Sequence, residues 1–169
     1  LEITATPQNR NFFFSGWTGD TDAITEGAVT NPVITVQFNE SVSLTATFGV
    51  EQYQITVTSD YGSTPSPGSH LYEYNTVVTN SVVSPQTVGT TQYVSTGWIM
   101  TGHSPASGVD TSFVMTMTND ASLVWNWTTN YYLSTATSGT GAGSVDVASG
   151  WQALGSNVVL TASPTGDDL

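Results

Sequence analysis

The chain has 169 residues, thirteen acids against a single Lys or Arg side chain, Arg10, and a formal net charge of −12. Nucleic-acid binding needs cations against phosphate and is excluded on that balance, as is attraction to anionic lipid. Zero cysteines remove disulfides, thiolate catalysis and Cys-ligated zinc together.

The N-terminal run LEITATP (residues 1–7) reads as a strand, and FFFSGWTGD (residues 12–20) as another that turns polar at its end. Successive side chains of a strand point to opposite faces, so Phe12, Phe13 and Phe14 cannot all enter one core. These three are candidates for a contact between subunits. Next, Asp20 and Asp22 with Glu26 form the densest acidic group of the chain. Alternating oxygen ligands on a loop suit calcium, which makes the three acids metal candidates. The simpler reading is a solvated loop, since the Gly and terminal Glu of the EF-hand pattern are missing.

Period-two alternation then takes over. Ile34, Val36 and Phe38, followed by Val42, Leu44, Ala46 and Phe48, share one face, and NES (residues 39–41) supplies turn chemistry between the runs. The expectation is a β-hairpin. Tyr53 opens a further strand, followed by a Gly/Ser/Pro-rich turn containing His70 and by NTVVTNSV (residues 75–82). A looser echo of the first aromatic strand is YVSTGWIMTG (residues 93–102), and His103 sits in the Ser/Gly/Pro-rich stretch at its end. With Asp110 a Ser-His-Asp triad can be drawn on paper. No Gly-x-Ser-x-Gly elbow accompanies it, and the expectation is no enzymatic activity and no cofactor. A second hairpin is expected from Phe113, Met115 and Met117 to Ala121, Leu123, Trp125 and Trp127, with NDA (residues 119–121) at the bend.

Sliding the sequence by 79 superposes the two expected hairpins, Ile34 on Phe113, Val36 on Met115, Leu44 on Leu123 and Phe48 on Trp127. Tyr53 falls on Tyr132, where another strand is expected to open. Trp17 and Trp98 differ by 81. VVLTASP (residues 158–164) matches LEITATP at an offset of 157, about two periods. The reading is all-β with negligible helix: two tandem modules of about 79 residues, as small β-sandwich or β-grasp-like sheets. Residues 1–50 form the second part of a repeat, 51–130 a whole one and 131–169 the first part of another.

GAGSVDVASGWQALGSNVVLTASPTGD (residues 141–167), taken with FFFSGWTGD and VITVQFNESVSLTATF (residues 33–48), resembles divergent bacterial β-repeats related to the internalin-B repeat. The match covers the chain in permuted order. The middle copy departs from it, with TGHSPA (residues 101–106) where Gly-Asp belongs. The resemblance implies a small β-rich unit of secreted or surface proteins, used as stalk, spacer or adhesive element.

No apolar run approaches the ~20 residues that span a bilayer, no signal peptide is visible, and the first residue is Leu1. Numbering is therefore expected to begin after processing or inside a longer precursor. Asn39 and Asn126 stand in Asn-x-Ser/Thr sequons and are glycosylation candidates. Asp167 and Asp168 read as solvent-facing. The chain has no Lys, so Lys–Asn isopeptide cross-links are impossible, and its strands lack the charged edge residues that discourage pairing. The two end segments are incomplete repeats whose missing parts are each other. They close within one molecule or, head to tail, between copies. The expected function is a non-enzymatic extracellular structural protein that self-associates into a filament, sheath, surface layer or stalk. The rival is a carbohydrate-binding module that stacks exposed aromatics among its five Trp on glycans.

Overall fold

The structure is a computed structural model describing residues 1–165; Asp167 and Asp168 lie outside the described residues. Sixteen strands are present among them, with a 3-10 turn at Thr21–Ala23 and no α-helix, so the chain is all-β. In order the strands are β1 (Glu2–Thr4), β2 (Phe12–Gly19), β3 (Ile24–Glu26), β4 (Val33–Val36), β5 (Leu44–Val50), β6 (Gln52–Thr58), β7 (Gly68–Glu73) and β8 (Val77–Ser81). They continue as β9 (Gln86–Val88), β10 (Thr91–Thr101), β11 (Ser107–Gly108), β12 (Ser112–Thr116), β13 (Ala121–Leu133), β14 (Gly143–Val145), β15 (Gly150–Ala153) and β16 (Ala162–Pro164). The chain divides into two compact units, Leu1–Gln54 with Leu71–Thr76 and Thr116–Asn119, and Ile55–His70 with Val77–Met115 and the residues from Asp120 onward.

In the first unit, β1, β4 and β3 form one sheet and β2 and β5 another. Trp17 from β2 meets Ile34 and Val36 from β4 and Ala5 in one buried core, with Ile3, Phe14, Ile24, Leu44 and Ala46 packed around it. Each strand gives this core every second side chain, which is why the Thr-rich alternate positions are tolerated outside. The indole nitrogen of Trp17 donates to the Asn31 carbonyl at 3.0 Å, so the ring is buried with its one polar atom satisfied.

In the second unit the longest path runs β11-β10-β13-β6-β7, with β15 added beside β13 and β9 beside β10, while β8 pairs β12. Val57, Met100, Leu123 and Trp125 are buried from the larger sheet, and Val78 and Met115 from the smaller. Phe113 of β12 stacks on Trp98 of β10 at 3.9 Å between centroids. Residues 131–165 belong to this unit: β15 pairs β13, and β14 pairs β16.

The two Trp strands have matching partners. Trp17 stands opposite Ala46 and Phe14 opposite Phe48 across β2 and β5, with a bulge between Phe14 and Gly16. Trp98 stands opposite Trp125 and Ser95 opposite Trp127 across β10 and β13, with a bulge between Ser95 and Gly97. Offsets of 81 on one strand and 79 on the other carry the first ladder onto the second, bulge included. One bond in the sheets facing them matches too: the Ala5 amide donates to the Pro32 carbonyl and the Val82 amide to the Thr111 carbonyl, related by offsets of 77 and 79.

Four sequence expectations are corrected. Neither hairpin exists: β4 pairs β1 and β3 while β5 pairs β2, and likewise β12 pairs β8 while β13 pairs β10. Period-two alternation is the same whether two strands lie side by side or face each other across a core, and here they face each other. Phe38, expected inward, is exposed in the connection that crosses between the sheets. Tyr132 opens no strand, because β13 runs unbroken to Leu133. The stretch VVLT (residues 158–161) holds no strand, and the position corresponding to β1 in the second unit is taken by β8.

Candidate functional site

The three phenylalanines alternate along β2. Phe14 turns inward, 5.6 Å from Trp17 and 5.9 Å from Phe48 between centroids. Phe12, on the same face, lines an open cleft of about 290 Å³ with Thr6, Gln8 and Phe48. Phe13 points the other way, 45% exposed, and the tip of its ring lies over Gly49, where any Cβ would collide with it.

The corresponding positions of the second unit are covered. Tyr93 and Trp127 occupy the places of Phe12 and Phe48, by the same offsets. Tyr61 lies across both, stacked on Tyr93 at 3.9 Å and 17°, and edge-on to Trp127 at 5.2 Å. The indole nitrogen of Trp127 donates to the Ser59 hydroxyl, and the Gln86 amide donates to the Tyr61 carbonyl, which fixes this turn in place. Burial, then the neighbouring Tyr93, holds the Tyr61 hydroxyl above the ordinary phenol range. The sequence reading passed over Tyr61 because it sits inside a Gly/Ser/Pro-rich turn; an aromatic there is the signal that the turn packs on something.

The calcium candidates are not brought together. Asp20 accepts the Ser43 amide at 2.8 Å, and Glu26 accepts the Thr35 hydroxyl at 3.1 Å. Asp20 and Asp22 line a cleft of about 410 Å³ with Gln37, Asn39 and Glu40, and Glu26 is outside it. Among the described residues no three His, Cys, Asp or Glu side chains are grouped to hold a metal ion. Asn39 is exposed in this cleft, whereas Asn126 is half-buried within β13, opposite Gly97.

Both imidazoles are engaged by their own loops. His70 lies in β7, not in a turn, with Nε2 2.6 Å from the Ser66 carbonyl, and His103 Nδ1 accepts the Ser104 amide at 2.9 Å. Trp17, Trp98 and Trp125 are buried, and Trp127 and Trp151 are half-buried. The remaining exposed rings do not form one platform: Tyr131 and Tyr132 are successive residues of β13 on opposite faces, and Trp151 meets Tyr132 at 74°. What this arrangement offers chemically is strand edges, a small apolar cleft at Phe12 and Phe48, and an acidic cleft at Asp20 and Asp22. No family model, curated protein or solved structure matches the chain.

Proposed function

We propose that this chain is a non-enzymatic extracellular structural protein, built on a duplicated β-module, that assembles with copies of itself into a cell-surface filament, sheath, surface layer or stalk. The observation that carries the reading is the pair of ladders with one register. β2–β5 and β10–β13 share their bulge and their core Trp, yet β13 has further strands beside it where β5 has none among the described residues. A module with an uncovered edge and no Lys to guard it is suited to strand addition. The resemblance to repeats of the internalin-B group agrees with a surface spacer, as does a polar makeup dominated by uncharged residues.

The rival, a glycan-binding module, has less support. Sugar platforms use coplanar exposed rings, and here the two near-coplanar pairs are not free: Tyr61 and Tyr93 cover one face of each other, and Phe113 stacks on the buried Trp98. Electron microscopy and analytical ultracentrifugation of the full chain test the proposal. Polymers that lengthen with concentration are expected. A single monomeric species at the highest soluble concentration overturns self-assembly, and saturable binding on a glycan array by that monomer would favour the rival.

A further inference from the structure

β13 and β5 present corresponding edges to different surroundings. Along β13, Ala121 stands opposite Ile55 and Leu123 opposite Val57, with β6 running parallel. All four side chains are buried. The corresponding stretch of the first unit is residues 42–45, where Val42 and Leu44 are half-buried and β5 has β2 as its one strand neighbour among the described residues. Backbone direction marks the open side. Asp20 and Ser43 are bonded on the β2 side, Asp20 amide to Ser43 carbonyl and Ser43 amide to Asp20 carboxylate. Alternation therefore turns the N–H and C=O of Leu44 to the opposite edge.

The residues that follow β13 have the properties this edge asks for. No strand covers residues 134–142. The Thr135 amide donates to the Ser149 hydroxyl at 2.9 Å, and that hydroxyl lies 3.2 Å from the Thr135 carbonyl as donor. The backbone groups of Ser134 and Ala136 accordingly face the other way. Leu133 and Thr135 are half-buried and Ser134 and Ala136 exposed, so the segment already alternates as a strand does.

We infer that residues 133–137 of one copy pair in parallel with residues 42–46 of a second copy. Leu133 lies opposite Val42, Thr135 opposite Leu44 and Ala136 opposite Thr45. Leu133 and Thr135 then take the places that Ile55 and Val57 hold beside β13. This register is the one in which the outward N–H and C=O of Leu44 meet those of Ser134 and Ala136. Residues after 137 cross the Phe12–Phe48 cleft as Tyr61 crosses Tyr93 and Trp127. The contact is head to tail, so it propagates into a filament or closes into a ring. It rests on the self-assembling reading above and names the surfaces that perform it.

The test is disulfide trapping in the full chain, which has no cysteine of its own. Thr45 and Ala136 are both exposed and, in the inferred register, directly opposed. Mild oxidation of a T45C/A136C double variant is expected to give a ladder of covalent multimers on a non-reducing gel. T45C/T135C, whose second cysteine points to the opposite face, should give none. A cross-linked monomer from T45C/A136C means that the segment pairs within its own chain and overturns the contact between copies. Polymers seen by microscopy without a T45C/A136C ladder overturn this contact and leave the structural function standing. Absence of both overturns the two together.

Discussion

The Trp98 indole rests directly on the backbone of Gly108: a Cβ added to Gly108 would stand 2.6 Å from Cζ2 and 2.8 Å from Cε2. Phe113 stacks on the same indole at 3.9 Å, so the ring has little room to retreat. Gly108→Ala should therefore overpack the core and destabilise the second unit by about 1–3 kcal/mol. Urea unfolding followed by Trp fluorescence measures it. An unchanged midpoint would show that the indole slides without cost.

The two bulge glycines make a sharper comparison. Gly97 has φ +113°, and a Cβ there would collide with the Gly108 carbonyl and come within 2.9 Å of the Val109 Cα. Gly16, its counterpart, has φ +156°, and a Cβ would meet the Val29 carbonyl at an ordinary 3.4 Å. Both positions disfavour a side chain, but only Gly97 adds a backbone clash. Gly97→Ala is expected to destabilise by about 3 kcal/mol and Gly16→Ala by about 1 kcal/mol. Equal shifts in the unfolding midpoints of the two variants would remove the distinction.

These glycines also show what was legible in the sequence. Trp17 and Trp98 with their Gly neighbours mark two strands in the sequence, and each of these pairs antiparallel with a later strand, β5 or β13, across a bulge just before its glycine. Inward positions such as Ile34, Val36, Leu123 and Trp125 followed from alternation alone. Pairing did not. Ile34 and Leu44 share a core from opposite sheets, and a period of two carries no information about which sheet a strand joins. The β5 edge was hidden for a related reason: an edge is defined by which strand lies beside it, a long-range fact. Tyr61 was hidden by its setting, since turn composition describes the backbone and says nothing of a ring packed on Tyr93.

Among the described residues Asn80 is the one buried polar residue in the core, and neither its Oδ1 nor its Nδ2 has a hydrogen-bond partner there. The bond from Val82 to Thr111, matching that from Ala5 to Pro32, gives Asn80 the place that Ile3 has in the first unit. An unsatisfied buried amide costs about 1–3 kcal/mol, whereas an apolar side chain of similar volume does not incur that loss. Asn80→Val should raise stability by about 1 kcal/mol, read as a higher urea midpoint at constant slope. A lower midpoint would mean that the amide is satisfied in solution.

Asp146 ties the C-terminal ladder together and should make it acid-sensitive. Its Oδ1 accepts the Thr161 amide at 2.8 Å, and its own amide donates to the Thr161 carbonyl at 3.1 Å, extending the β14–β16 pairing by one step beyond Val145 and Ala162. The backbone bond from Thr161, then a bond from the same residue's side chain, lowers the Asp146 carboxyl below its ordinary value. A carboxylate depressed in the folded state contributes stability that is present above the unfolded pKa, about 3.9, and is lost as pH falls through the lower folded value. Protection of the Thr161 amide from hydrogen exchange should accordingly hold at pH 5 and fade below about pH 4. In Asp146→Asn an uncharged oxygen can still accept the bond, so the residual protection should not vary over that range. NMR-detected exchange at Thr161 across the titration distinguishes the two chains, and an acid loss that persists in D146N would assign the sensitivity to another carboxyl group.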